Sequence, residues 1–289
     1  MLKRNLTAAV LIAIALFFLL FLRTLYVALV DVLFYAFMVF GGYEMISAGK
    51  EGGYRAMVLP LIVYALAFLP LFHFFKMTGV LLAVMLSLLF GLGNFVVERK
   101  KYALNDVLYT VFVLFYPLVL CACFFYINHE AGNLLGIFFL LLVTLLSDAF
   151  ALFAGMLFGK KKLIPDVSPK KTVAGAIGAY VGGMVGAGIT LLLFDGFRVF
   201  KSFKNIGLIR VFDHLYQSIP VYLSFAVVCT TLAIFGDLAA SLIKRKIGIK
   251  DFGRIFPGHG GVMDRLDSLL FVAPAVALFF TIYNGVVGV

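Results

Sequence analysis

Between Asp237 and Asp267 the chain reads DLAASLIKRKIGIKDFGRIFPGHGGVMDRLD, a 31-residue stretch with four carboxylates, six lysines and arginines, one histidine and five glycines. Long apolar runs flank it on both sides, and there a misplaced carboxylate costs about 2.5–3.5 kcal/mol on insertion scales. Asp237, Ser241 and Lys244 follow one another at i, i+4 and i+7, so they share one helix face. Asp264 and Asp267 lie three apart and face one way once the next helix has begun. Two helices entering from one side are expected to bring Asp237 against Asp264 and Asp267. Three carboxylates together do not all stay ionised without a counter-charge. A divalent cation supplies it, and oxygen-only ligands suit Mg²⁺, which completes its shell with water and substrate phosphates. The plainer alternative is that these aspartates pair with Arg265, Arg245 or Lys244.

Between the carboxylates lies Pro257-Gly258-His259-Gly260-Gly261. Glycines let backbone N–H groups approach an anion, and the following helix start adds its positive dipole end. With Lys250, Arg254 and His259 the stretch is expected to cradle a polyphosphate. His259 alone is equally well explained as a capping or hydrogen-bonding residue. A second basic segment, Lys160-Lys161-Lys162 and then Ser168-Pro169-Lys170-Lys171-Thr172, precedes another apolar run. Serine and proline there predict a helix start. Two lysines at a helix N-terminus oppose the dipole, which is tolerable where an anion sits. Upstream, Asp148 falls inside an apolar run, and an intramembrane carboxylate is a functional candidate by default. Asp31, Glu44 and Glu98 also lie in or near apolar runs; Glu44 and Glu98 are expected within reach of water, and Asp31 is unassigned.

The elements that must position these residues follow from composition. The chain of 289 residues is 64% hydrophobic and 13% charged, with mean hydropathy +1.11. Soluble domains are nearer one half apolar and one quarter charged, so an integral membrane protein is expected. Unbroken rather than alternating apolar runs favour helices over a barrel. The predicted fold is all-α and polytopic, with about nine transmembrane helices near 5–22, 26–46, 56–72, 78–97, 107–127, 133–158, 172–194, 219–243 and 268–288. The first run lacks a following small-residue cleavage site and is read as a retained span. Pro60 and Pro70 predict a kinked or partly re-entrant third span.

Nine spans place 18 of the 24 lysines and arginines on the side of the N-terminus, together with both basic loops. The positive-inside rule makes that side cytoplasmic, with the N-terminus in and the C-terminus out. The connection 195–218 mixes phenylalanines with four cations and is expected to lie amphipathically on the outer surface. Gly178, Gly182 and Gly186, spaced by four, predict close helix packing, as do Ala151, Gly155 and Gly159. Cys121, Cys123 and Cys229 all sit in apolar runs, so no disulfide framework or zinc spacing is present. Without internal repeats, residues 1–289 are expected to form a single membrane domain, with N-terminal spans over 1–130 and the chemistry over 131–289.

A membrane-embedded site open to the cytoplasm, holding Mg²⁺ and phosphates, points to phosphoryl or nucleotidyl transfer onto a lipid. Such chemistry rests on positioning and charge neutralisation. Ser241, Lys244-Arg245, Lys250-Asp251, Gly253, Pro257, His259-Gly260-Gly261, Asp264-Arg265 and Asp267 together resemble the C-terminal motif of phosphatidate cytidylyltransferases (CDP-diacylglycerol synthases). Residues 147–178 are similar to the same family through Ser147-Asp148, Gly155, Phe158-Gly159-Lys160, Leu163, Pro165, Ser168-Pro169, Lys171-Thr172, Gly175 and Gly178. Ala174 departs from it, standing where the family tends to carry Glu or Gln.

The resemblance implies that CTP and phosphatidate give CDP-diacylglycerol and pyrophosphate, with Mg²⁺ required and K⁺ as a second cation. By that likeness Asp237 and Asp264 ligate metal, with Asp267 and Asp148 close by. Lys244, Arg245, Lys250 and Arg254 hold CTP phosphates, Lys170 and Lys171 hold a phosphate of either substrate, and Ser168, Ser241, His259 and Arg265 fill further substrate positions of the motifs. The implied partners are CTP, phosphatidate and membrane lipids, with no nucleic acid; a homodimer is compatible. The implied location is the inner membrane with the site facing the cytoplasm. Three alternatives remain at this point: a CTP-dependent kinase of the polyprenol or dolichol type, a secondary transporter, and a structural membrane protein.

Overall fold

The computed structural model describes residues 17–130, 133–196, 215–256 and 260–287. Helices dominate it: α1 (Ala28–Glu51), α2 (Val58–Val97), α3 (Leu104–His129), α4 (Asn133–Phe158), α5 (Val173–Phe194), α6 (Leu215–Ile247) and α7 (Met263–Val287). A two-stranded antiparallel hairpin, β1 (Lys162–Ile164) and β2 (Ser168–Thr172), joins α4 to α5. Seven helices among the described residues are long and apolar enough to cross a membrane, in keeping with the all-α polytopic expectation.

The 40 residues of α2 contain two of the expected spans. A straight helix of that length would run about 60 Å, twice the hydrocarbon thickness of about 30 Å. The helix breaks instead at Lys76 (φ 53, ψ −131), and its two arms pack together. Ser87 Oγ donates to the Pro60 carbonyl at 2.7 Å, and Gly79 meets the Leu71 carbonyl with no room for a Cβ. Pro60 stands in the first turn, where proline is tolerated, so the reversal falls after the two prolines rather than at them. The expected first span reaches the described residues only from Phe17 onward, and the expected amphipathic connection lies almost wholly outside them.

The described residues form two compact units. One contains Val32–Tyr126 and Lys244–Arg265. Its apolar centre is aromatic, with Phe68 and Phe125 edge to face at 4.8 Å between ring centroids. Asp106 ties its loops at the start of α3, accepting from Arg55 N at 2.7 Å and Ala103 N at 2.9 Å.

The other unit contains residues 17–31, Ile127–Ile243 and residues 266–287. Here α4 and α5 pack backbone to backbone. Gly178, Gly182 and Gly186 abut the carbonyls of Phe150, Leu146 and Leu142, so the four-residue glycine spacing does bring two helices close. A valine at Gly182 would drive its side chain into the Leu146 carbonyl and Phe150. Gly182→Val is expected to destabilise the fold by about 1–3 kcal/mol, the usual range for overpacking, read as a lowered melting temperature in detergent. An unchanged melt would remove this stripe as the packing seam. At the far end of the unit, buried Arg23 donates to Asn128, and Asp31 accepts from Asn128 Nδ2 at 2.9 Å and pairs with His129 at 2.7 Å. Burial pulls the Arg23 guanidinium down to about 10, and nearby Asp31 only partly opposes this. That network gives Asp31 a structural place.

Candidate functional site

Helix α6 ends where Gly248 takes the left-handed conformation (φ +88) that L residues avoid. Its N–H and that of Ile249 cap the Lys244 carbonyl at 3.0 and 2.9 Å. The chain then loops back on itself around one carboxylate. Asp264 Oδ1 accepts from Lys244 Nζ at 2.7 Å, and Oδ2 accepts from the backbone N–H of Phe252 at 2.9 Å and Gly261 at 3.0 Å. The two side chains of the ion pair are 5% and 12% exposed. Lys244 also lies over the Phe252 ring, 5.2 Å from its centroid. Arg245, Lys250 and Arg254 remain exposed around this clasp, as does Arg265. The plainer sequence reading therefore applies to Asp264, whose partner is Lys244.

The glycines behave differently from the sequence expectation. The N–H groups of Gly261, Val262 and Met263, at the start of α7, already donate to carboxylates. Asp264 takes the first, and Glu44 takes the other two at 3.0 and 2.8 Å. A carboxylate at a helix N-terminus complements the dipole as a phosphate would. These N–H groups are thus not the open cradle expected for a polyphosphate. Glu44, expected within reach of water, is 2% exposed. His259, with Pro257 and Gly258, lies outside the described residues.

In the other unit Asp237 pairs with Lys171 at 2.6 Å, with the side chains 32% and 24% exposed. Ser241 Oγ approaches Asp237 at 3.5 Å, as the helical spacing predicts. Lys171 is delivered by the β-hairpin. Ser168, Pro169, Lys170 and Lys171 are strand residues, and the helix begins only at Val173, capped by Thr172, whose Oγ1 accepts from Gly175 N at 3.0 Å. The helix thus starts within one residue of the expected 172–194 span, but Ser168 and Pro169 are strand residues rather than its first turn, and the lysines do not oppose a helix dipole. Lys170 is exposed and Ser168 half-buried. Gly236 meets the Asp267 carbonyl, at 2.6 Å from where a Cβ would stand, so the turns bearing Asp237 and Asp267 cross closely. Asp267 Oδ1 accepts from Ser268 N at 2.8 Å. Asp148 is exposed on α4 rather than enclosed between helices.

Among the described residues, no three or more His, Cys, Asp or Glu side chains gather closely enough to hold a metal by themselves. Asp237 and Asp264 each take a lysine ammonium instead. The sequence names Lys244 among the partners of these aspartates but gives no sign of Lys171 as the partner of Asp237, nor of Glu44 as a ligand of the loop. The one signal for Glu44 was a carboxylate within an apolar run.

The model of the cytidylyltransferase family matches residues 2–283. The chain belongs to this family. Its relatives within the family include a phosphatidate cytidylyltransferase of Bacillus subtilis, 31% identical over 217 residues, which cover 72% of this chain and 70% of that one. One of Aquifex aeolicus is 33% identical over 190 residues, covering 66% and 63%, and one of Thermotoga maritima is 36% identical over 144 residues, covering 50% and 48%. The chain thus spans about half the length of the Thermotoga relative it matches.

Proposed function

We propose that this protein is a phosphatidate cytidylyltransferase, converting CTP and phosphatidate to CDP-diacylglycerol and pyrophosphate. The observation that carries the reading is the Lys244–Asp264 clasp. It holds a loop whose exposed Arg245, Lys250 and Arg254 have the charge to take a triphosphate. The phosphatidate phosphate is already an oxyanion at neutral pH, so its attack on the α-phosphorus needs no general base. The bond to pyrophosphate breaks as the new P–O bond forms. Lys170 and Lys171 are placed on the hairpin to neutralise a substrate phosphate, with Ser168, Ser241, His259 and Arg265 as further contacts. Such neutralisation supplies most of the barrier lowering in phosphoryl chemistry.

Mg²⁺ fits the acidic residues by donor chemistry. Asp237 and Asp264 each already face an ammonium, a stand-in for a cation. Mg²⁺ is usually bound by one or two carboxylates and completed by substrate phosphates. Asp237, Asp264, Asp267 and Asp148 are the residues proposed to hold it, and K⁺ is the proposed second cation. When bound, the metal would polarise the phosphates. We further assign nine crossings in one membrane domain of the inner membrane, N-terminus in, C-terminus out and the site cytoplasmic. Membrane lipids surround it, and a second copy is a compatible partner.

Labelled CTP tests the reading in purified protein with phosphatidic acid and Mg²⁺. Label from the α-phosphate is expected in the lipid product, and chelation of Mg²⁺ is expected to stop its appearance. Label reaching lipid only from the γ-position would instead establish a CTP-dependent lipid kinase.

A further inference from the structure

Glu44 lies on α1, 218 residues before the loop it touches, in the half of the chain where the motif resemblance has no counterpart. Its two carboxylate oxygens divide the work: Oε1 accepts from Val262 N at 3.0 Å and Oε2 from Met263 N at 2.8 Å. Two glycines of the basic loop press against it. A Cβ at Gly253 or at Gly261 would overlap the Glu44 carboxylate itself. The side chain is 2% exposed, so it does not touch solvent, and its oxygens are turned to the backbone. Four features thus converge on one buried carboxylate: both N–H groups at the start of α7, and the closest approach of the loop at two separate points.

We infer that Glu44 is a positioning residue for the transfer reaction, fixing the start of α7 so that Asp264, the next residue but one from Val262, and Asp267 one turn later hold their cation in a set direction. This inference rests on the cytidylyltransferase reading above. The chemistry explains why a carboxylate is needed. Each oxygen accepts and neither donates, so two N–H groups are met by one rigid fork. Glutamine would offer one acceptor and turn an NH₂ donor towards the second N–H. Aspartate keeps both acceptors but is one methylene too short to serve both at these distances. Glu44 also explains the loop glycines. They admit this carboxylate at close range, instead of presenting N–H groups to a nucleotide.

The test compares wild type, Glu44→Gln and Glu44→Asp in detergent with CTP, phosphatidate and a Mg²⁺ titration. Groups that orient metal ligands alter affinity or activity about 10–100-fold when removed. Glu44→Gln is expected to lower kcat at least about 10-fold and raise the half-saturating Mg²⁺ concentration by a similar factor, with the KM for phosphatidate within about threefold of wild type. Glu44→Asp is expected to fall between. Trypsin cleavage at Lys250 and Arg254 reads the loop without using activity and is expected to quicken about 10-fold in Glu44→Gln. A folded Glu44→Gln with wild-type kcat, Mg²⁺ dependence and cleavage overturns the inference. So does failure of both variants to fold, which would assign Glu44 to folding alone. A wild-type protein without turnover would instead overturn the activity, and the cleavage comparison would still decide the role of Glu44 in the loop.

Discussion

Asp264→Asn is expected to reduce kcat by about 100-fold or more while the protein still inserts and purifies as a folded species. The carboxylate carries two roles at once. Its Oδ2 closes the loop through Phe252 N and Gly261 N, and its Oδ1 neutralises Lys244. Asparagine keeps one oxygen for the N–H groups but turns an NH₂ towards an ammonium that is only 12% exposed. Removing one partner of a buried pair leaves an uncompensated charge and costs about 3–5 kcal/mol. That loss falls on the Lys244–Arg265 stretch, where the helices on either side keep their own packing. Trypsin is therefore expected to cut at Lys250 or Arg254 in Asp264→Asn well before the rest of the chain. The double variant Lys244→Met with Asp264→Asn removes both charges and is expected to regain much of the protection without regaining turnover. Restored protection with no activity separates the clasp from the chemistry. Wild-type turnover in the single variant would remove both roles.

The outline of this arrangement is legible in the sequence because its strongest terms are local. An apolar run of about 20 residues must satisfy its own backbone in lipid, so helices follow. Gly178, Gly182 and Gly186 reveal their packing because a spacing of four keeps them on one face. The carboxylates stand out because lipid penalises them. What stays hidden is pairing over long separations. Nothing near Asp237 indicates that its counter-ion is Lys171, since a β-hairpin delivers that lysine. Glu44 looks like an interfacial acid until Gly253 and Gly261 are seen to fold onto it. Ser168 and Pro169 are strand residues rather than a first helical turn because Thr172, four residues after Ser168, caps Gly175 N, while the earlier residues gain backbone partners in β1. The reversal at Lys76 has no turn residue beside it except Gly79.

Asp237→Asn is expected to lower kcat by about 100-fold or more with little change in stability, and that contrast gives the variant its diagnostic value. The Lys171–Asp237 pair is partly exposed, at 24% and 32%, and such pairs contribute about 0–1 kcal/mol. A structural role for Asp237 would therefore leave both folding and turnover nearly intact after substitution. A metal-holding role would leave folding intact and abolish turnover, because asparagine keeps the shape of the carboxylate without its charge. Lys171→Met supplies the matching half of the argument. It removes the ammonium and leaves the carboxylate free, so the acid's charge is no longer neutralised within the protein. If Lys171 serves a substrate phosphate, this variant is expected to raise KM several-fold more than it lowers kcat. Equal losses of kcat from both substitutions, with no change in KM, would show that the ion pair acts as one unit and would remove Asp237 from the metal site. Separate signatures would place the acid with the cation and the lysine with the substrate.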